Sequence, residues 1–140
     1  MPHCGAGNIG ITRKVFDSVG GFDETMAACF DTDFCWRVQL AGVSLRPAPD
    51  ALLHVRRRHT MRGILAQARL WGQWNVFLYK RYRTRGMPNV AWREGLRGWL
   101  HLIRRIRVAF DPEYRALWVW QMGWRVGRLI GSIKYRVLAF

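Results

Sequence analysis

From Thr60 to the C-terminus, apolar residues recur at three- and four-residue steps, and that period admits one secondary structure. "TMRGILAQARLWGQWNVFLYKRYRTRG" sets Met61, Ile64, Leu65, Ala68, Trp71, Leu78 and Tyr82 along one stripe, with Asn75 among them. Such a stripe belongs to an amphipathic helix, since a strand would alternate. "GMP" (86–88) predicts its end. "VAWREGLRGWLHLIRRIRVAF" repeats the pattern with Trp92, Leu96, Trp99, Leu100, Ile103 and Ile106, while Arg93, Arg97, Arg104 and Arg107 take other faces. "DPEYR" (111–115) predicts the opening of a third helix, with Asp111 as cap, Pro112 in the first position and Glu113 toward the dipole. Gly123, Gly127 and Gly131 give this last helix a smooth ridge suited to close packing.

Charge divides the chain at the same place. Residues 59–140 carry sixteen Lys/Arg against three Asp/Glu, whereas residues 1–58 carry seven against six. Seven of the eight Trp also fall in the later segment, so 59–140 is a basic, Trp-rich amphipathic helical region. Indole rings with cations suit an anionic membrane surface as partner. No apolar run reaches the roughly 18–20 residues of a spanning helix, so contact with a bilayer would be in its plane. Two other uses compete: a helical appendage packed on the head, and phosphate-chain binding. No nucleic acid is expected, because the aromatics fall largely on apolar helix faces and no recognised nucleic-acid motif is present. Cys4, Cys29 and Cys35 form no CxxC pair and leave one unpaired in any disulfide scheme, which predicts reduced thiols. The opening "MPHCGAGNIG" has neither basic start nor apolar core of a secretory signal. Together these predict a cytoplasmic protein, peripheral on the inner face of the membrane.

The head, residues 1–58, is organised by glycines. "CGAGNIG" (4–10) is a glycine-rich loop, "ITRKVFDSV" a short helix with Ile11, Val15, Phe16 and Val19 inward, and "GGFDE" (20–24) a helix-ending turn. A second helix is expected from about Thr32 to Ala41, stopped by Gly42, followed by short extended segments in "VSLRPAP" and "DALLHVRR". Between the turn and that helix, Asp31 and Asp33 have a spacing that serves either a divalent metal or a helix start.

Taken in order, "CGAGNIGITRKVFDSVGGFDE", "FDTDFCWRVQLAG" and "ALLHVRRR" resemble the second half of a family 2 glycosyltransferase of the GT-A fold, over about residues 3–58. The resemblance implies an α/β fold: an incomplete GT-A, Rossmann-like half with few strands, followed by the amphipathic C-terminal helices. It implies that Gly5, Ala6, Gly7 and Asn8 form the substrate-side loop and that Asp31 is the general base. Asp33 and Arg37 match the trailing polar residues of the same motif, as substrate contacts or as a pair supporting the helix. His54 matches a histidine that helps hold a divalent metal (Mn or Mg) or the donor diphosphate, with Arg56, Arg57 and Arg58 beside it. The chain departs from the family at Phe30, where Glu is common. The family's metal-binding Asp-x-Asp and its nucleotide-binding half precede the glycine loop, so upstream sequence or a partner chain is implied for both. The implied activity is transfer, with inversion, from a nucleotide-diphosphate sugar to a hydroxyl on a glycan or lipid-linked acceptor, in cell-envelope glycan synthesis. The competing class is a non-catalytic, membrane-surface basic module with a remnant transferase head.

Overall fold

Among the described residues, 1–87 and 92–139 of this computed structural model, no strand forms. The expected α/β, GT-A-like half is therefore overturned: the fold is helical. The reason lies in hydrogen bonding. A helix satisfies its backbone within itself, whereas a strand needs a neighbouring edge. The segments expected to be extended, "VSLRPAP" and "DALLHVRR", find no such edge, and Pro47 and Pro49 remove donors as well. Leu52, Leu53 and Val55 stay 85%, 52% and 70% exposed, and the backbone-to-backbone bonds around them are turn bonds such as Ala51 N to Ala48 O at 3.0 Å. Pro88 and Val90–Ala91, which carry the expected end of one tail helix and start of the next, lie outside the described residues.

The chain divides into two compact units, Met1–Arg56 and Arg57–Phe140. In the first, a 3-10 turn at Ala6–Asn8 precedes α1 (Arg13–Ser18) and α2 (Phe30–Leu40). Thr12 caps α1, its hydroxyl accepting from Val15 N at 3.4 Å. Gly20 and Gly21 end it at φ +79° and +69°, and a methyl added to Gly21 would stand 2.9 Å from the Phe16 ring, so both conformation and space require glycine there. The core beneath is aromatic. Phe22 packs on Phe16, Phe30 and Phe34 with ring centroids 4.6–5.7 Å apart. Residues 1–4 run along α2, where Trp36 Nε1 donates to Met1 O at 3.0 Å and Gln39 Nε2 to Pro2 O at 2.8 Å.

The second unit contains α3 (Met61–Tyr82), α4 (Trp92–Arg104) and α5 (Arg115–Tyr135), with 3-10 turns at Arg83–Arg85 and Ile106–Phe110. Thr60 caps α3, its hydroxyl accepting from Gly63 N at 3.2 Å. The third helix starts later than "DPEYR" predicts. Asp111 holds a preceding turn, its Oδ1 accepting from Glu113 N at 2.9 Å, and α5 begins at Arg115.

α3 and α5 run parallel, and the glycine ridge is their seam. Methyls added at Gly123 and Gly131 would lie 2.9 Å from Leu65 O and 2.8 Å from Gln73 O, and one at Gly127 would collide with Arg69 O. The 123–127–131 spacing thus meets backbone carbonyls at 65, 69 and 73 in step. Aromatic pairs fix the register beside the seam: Trp71 on Trp120 at 5.4 Å, and Phe77 on Tyr135 at 5.2 Å. On an isolated helix, Gly127→Ala would stabilise by about 1 kcal/mol. Here the collision is with main chain that cannot swing aside, and overpacking costs about 1–3 kcal/mol. Gly127→Ala should therefore lower the urea midpoint of the chain, and a raised midpoint would remove the close seam.

Candidate functional site at the start of helix α2

The two aspartates of "DTD" sit in the first turn of α2, where the helix dipole favours negative charge. Cys29 opens the helix at φ +60°, a left-handed conformation rare for a residue with a Cβ. Beyond it the two carboxylates diverge, as two positions about 200° apart on a helix must.

Asp33 turns inward. It is 0% exposed, and Arg37 Nε, one helical turn on, donates to its Oδ2 at 2.8 Å. The rest of that guanidinium reaches back across the glycine turn, giving hydrogen bonds to Val19 O at 2.5 Å and Gly21 O at 2.6 Å. Arg37 thus joins the end of α1 to the body of α2, and its plane lies near the Phe34 ring at 5.7 Å. For these two residues, a helix-supporting pair describes the geometry better than a substrate contact.

Asp31 is half-buried and faces the glycine loop. Thr32 N donates to its Oδ1 at 2.8 Å, fixing the carboxylate orientation, while a methyl added at Gly5 would lie 3.8 Å from Oδ2. The loop backbone therefore passes within one small side chain's width of this oxygen. Asn8 Nδ2 donates to Ala51 O at 2.8 Å, and Gly7 abuts Leu53 Cδ2. The structure thus brings Gly5 to Asp31, and ties Gly7 and Asn8 to the segment that carries His54. His54 itself is exposed. Among the described residues no three His, Cys, Asp or Glu side chains gather in a way that could hold a metal ion. His54 alone does not make a metal site.

Two thiols, Cys4 and Cys29, flank Asp31, and no spacing in the sequence signals the approach of the first. Cys4, the residue before Gly5, places its Sγ 3.7 Å from the Sγ of buried Cys35. Burial pushes the Cys29 thiol from an ordinary 9.0 up to about 12, with the Asp31 charge adding to it. Burial pushes Cys4 up to about 11, with further contributions from Cys35 and then Asp31. Phe30 is also accounted for here: its ring meets Phe22 edge-on at 5.7 Å, so the position works as core.

Removing one partner of a buried pair leaves the other uncompensated, which costs about 3–5 kcal/mol. Arg37→Leu should lower stability by that amount in urea unfolding, and a change near zero would show that Asp33 is not held by this contact. The thiols give a second expectation. An acid whose folded pKa is raised stabilises the fold fully below its unfolded value and loses that contribution as pH rises through the folded value. Stability should therefore fall as pH rises from 9.0 toward 11–12. Asp31→Asn should bring the onset of alkylation at Cys4 and Cys29 to lower pH, as followed by iodoacetamide labelling and mass spectrometry.

No family profile matches the chain, and no solved structure matches it. It is 37% identical over 82 residues, 59% of its length, to a protein of Mycobacterium tuberculosis (strain CDC 1551 / Oshkosh) named pre-mycofactocin glycosyltransferase. The same identity holds for the protein of that name from strain ATCC 25618 / H37Rv. The chain spans about 17% of the length of these relatives, and the match supports a glycosyltransferase region within it.

Proposed function

We propose that the head is the catalytic-base part of a family 2 glycosyltransferase and that Asp31 is the base. The observation that carries this reading is the Asp31 carboxylate itself: oriented through Oδ1 by Thr32 N–H, with Oδ2 turned toward the Gly5 backbone. An oxygen so placed suits proton transfer from a bound hydroxyl, which requires a heavy-atom approach of about 2.6–3.2 Å. In the proposed step, the acceptor hydroxyl gives its proton to Asp31 as its oxygen bonds to the anomeric carbon of the donor sugar. The bond from that carbon to the diphosphate breaks, and the electron pair leaves with the diphosphate, inverting the centre. The glycine loop lets the acceptor approach main chain, and the Arg37 clamp holds α2, and with it Asp31, in place.

The nucleotide-sugar site is proposed to come from sequence outside these 140 residues, upstream or on a partner chain. A cell-envelope glycan or lipid-linked sugar is the proposed acceptor class. A divalent metal, Mn or Mg, would assist the departing diphosphate when bound, held by ligands proposed to come from that outside part together with His54 of this chain.

Two observations favour the competing, non-catalytic reading. Phe30, at the position where the family commonly carries Glu, is part of the aromatic core, and the side-chain amide of Asn8 is engaged by Ala51 O. The two readings separate in one experiment. Joined to a donor-binding half that restores sugar transfer, the chain should lose about 10²–10⁴-fold in turnover on Asp31→Asn, the usual worth of a general base. Helicity and urea midpoint should be retained. Unchanged turnover in a folded Asp31→Asn protein would exclude Asp31 as the base.

A further inference from the structure

α4 presents three different faces. Its buried positions are Gly95 and Leu102, and the Leu102 carbonyl accepts from Trp118 Nε1 of α5 at 3.2 Å. Gly98 lies under the Arg125 guanidinium of α5. Beside this packed side, Trp92, Leu96, Leu100 and Ile103 fall within a stripe about 80° wide at helical spacing. These four large apolar side chains are 55%, 45%, 51% and 62% exposed, and Phe110, in the following 3-10 turn, is 82% exposed. Arg93, Arg97 and Arg104 continue the surface from the far edge of the stripe, all exposed. An apolar band left open and bordered by cations needs an occupant that is both apolar and anionic.

We propose that α4 and the turn after it lie in the plane of an anionic lipid bilayer. Trp92, Leu96, Leu100, Ile103 and Phe110 enter the boundary between headgroups and acyl chains, and the three arginines meet lipid phosphates. Among the described residues no helix is long and apolar enough to cross a membrane, so insertion is shallow. Charge selects this occupant over the others. A second copy meeting the band as an antiparallel two-fold pair would bring the two arginine stripes together, since the same patch then faces itself. Nucleic acid would satisfy the arginines and leave the apolar band in water. The inference is independent of the sugar-transfer reading.

The test is flotation of the full chain with vesicles of phosphatidylcholine alone, and of phosphatidylcholine with about one-third phosphatidylglycerol. Binding is expected to the second and not the first, weakening as salt rises. Replacing Arg93, Arg97 and Arg104 together by Gln should weaken it about a hundredfold, at about 1 kcal/mol per cation near an anionic surface. Ile103→Asp should weaken it at least about tenfold, because a charge then enters the apolar layer. Leu100→Ser provides a milder change of the same sign, and circular dichroism confirms that each variant stays helical. No binding to anionic vesicles overturns the proposal, as does binding that Ile103→Asp and Leu100→Ser leave unchanged. A dimer abolished by Ile103→Asp without vesicle binding puts a second copy on the face. RNA binding without vesicle binding assigns the arginines to nucleic acid.

Discussion

Arg37 concentrates the architecture of the head in one guanidinium. With two short helices and no sheet, residues 1–56 have little regular structure to fix one segment against another. The Arg37 fork spans that gap, taking Asp33 on its own helix and two carbonyls from the turn that ends α1. Planar, multi-donor geometry makes arginine suited to this work, where a lysine would supply one point charge. The placement of Asp31 follows from it. Because Asp33 is committed inward, helical geometry sends Asp31 toward the glycine loop, and its carboxylate is left beside Gly5 and not within the ion pair.

Much of the second unit was legible in the sequence because its determinants are local. The stripe from Met61 to Tyr82 and the four-residue glycine ridge both encode a helix and its contact surface without reference to distant residues. The seam between α3 and α5 is the direct product of that ridge. The late start of α5 marks the limit: "DPEYR" has the composition of a helix opening, yet Asp111 uses its carboxylate on a turn one step earlier.

The head was legible in its turns and misjudged in its class. Gly20 and Gly21 announced the end of α1, and the four-residue spacing of Asp33 and Arg37 announced their pairing. The expected strands rested on the composition of "VSLRPAP" and "DALLHVRR" as well as on resemblance to a longer protein, and neither segment has an edge to pair with. Contacts between residues far apart in sequence were not legible either. Arg37 to Val19, Asn8 to Ala51 and Cys4 to Cys35 link positions 18, 43 and 31 residues apart, and no local pattern specifies such pairs.

The parallel course of α3 and α5 also governs how much of the tail's positive charge is free to meet another molecule. Helices that run the same way place their carboxyl ends together, and each end carries about half a negative elementary charge. Lys80 and Arg81 occupy the last turn of one and Lys134 that of the other. Arg81 rests on the Phe77 ring and Lys134 on Tyr135, two rings that meet at 5.2 Å, tilted by 56°, at the same end of the seam. Roughly one unit of cationic charge there is consumed internally as counter-charge to the folded backbone. On α4 the same duty falls to Arg104 in the last turn, whereas Arg93, over the exposed Trp92 ring, and Arg97 lie earlier in the helix and leave their charge to the outward field of the tail.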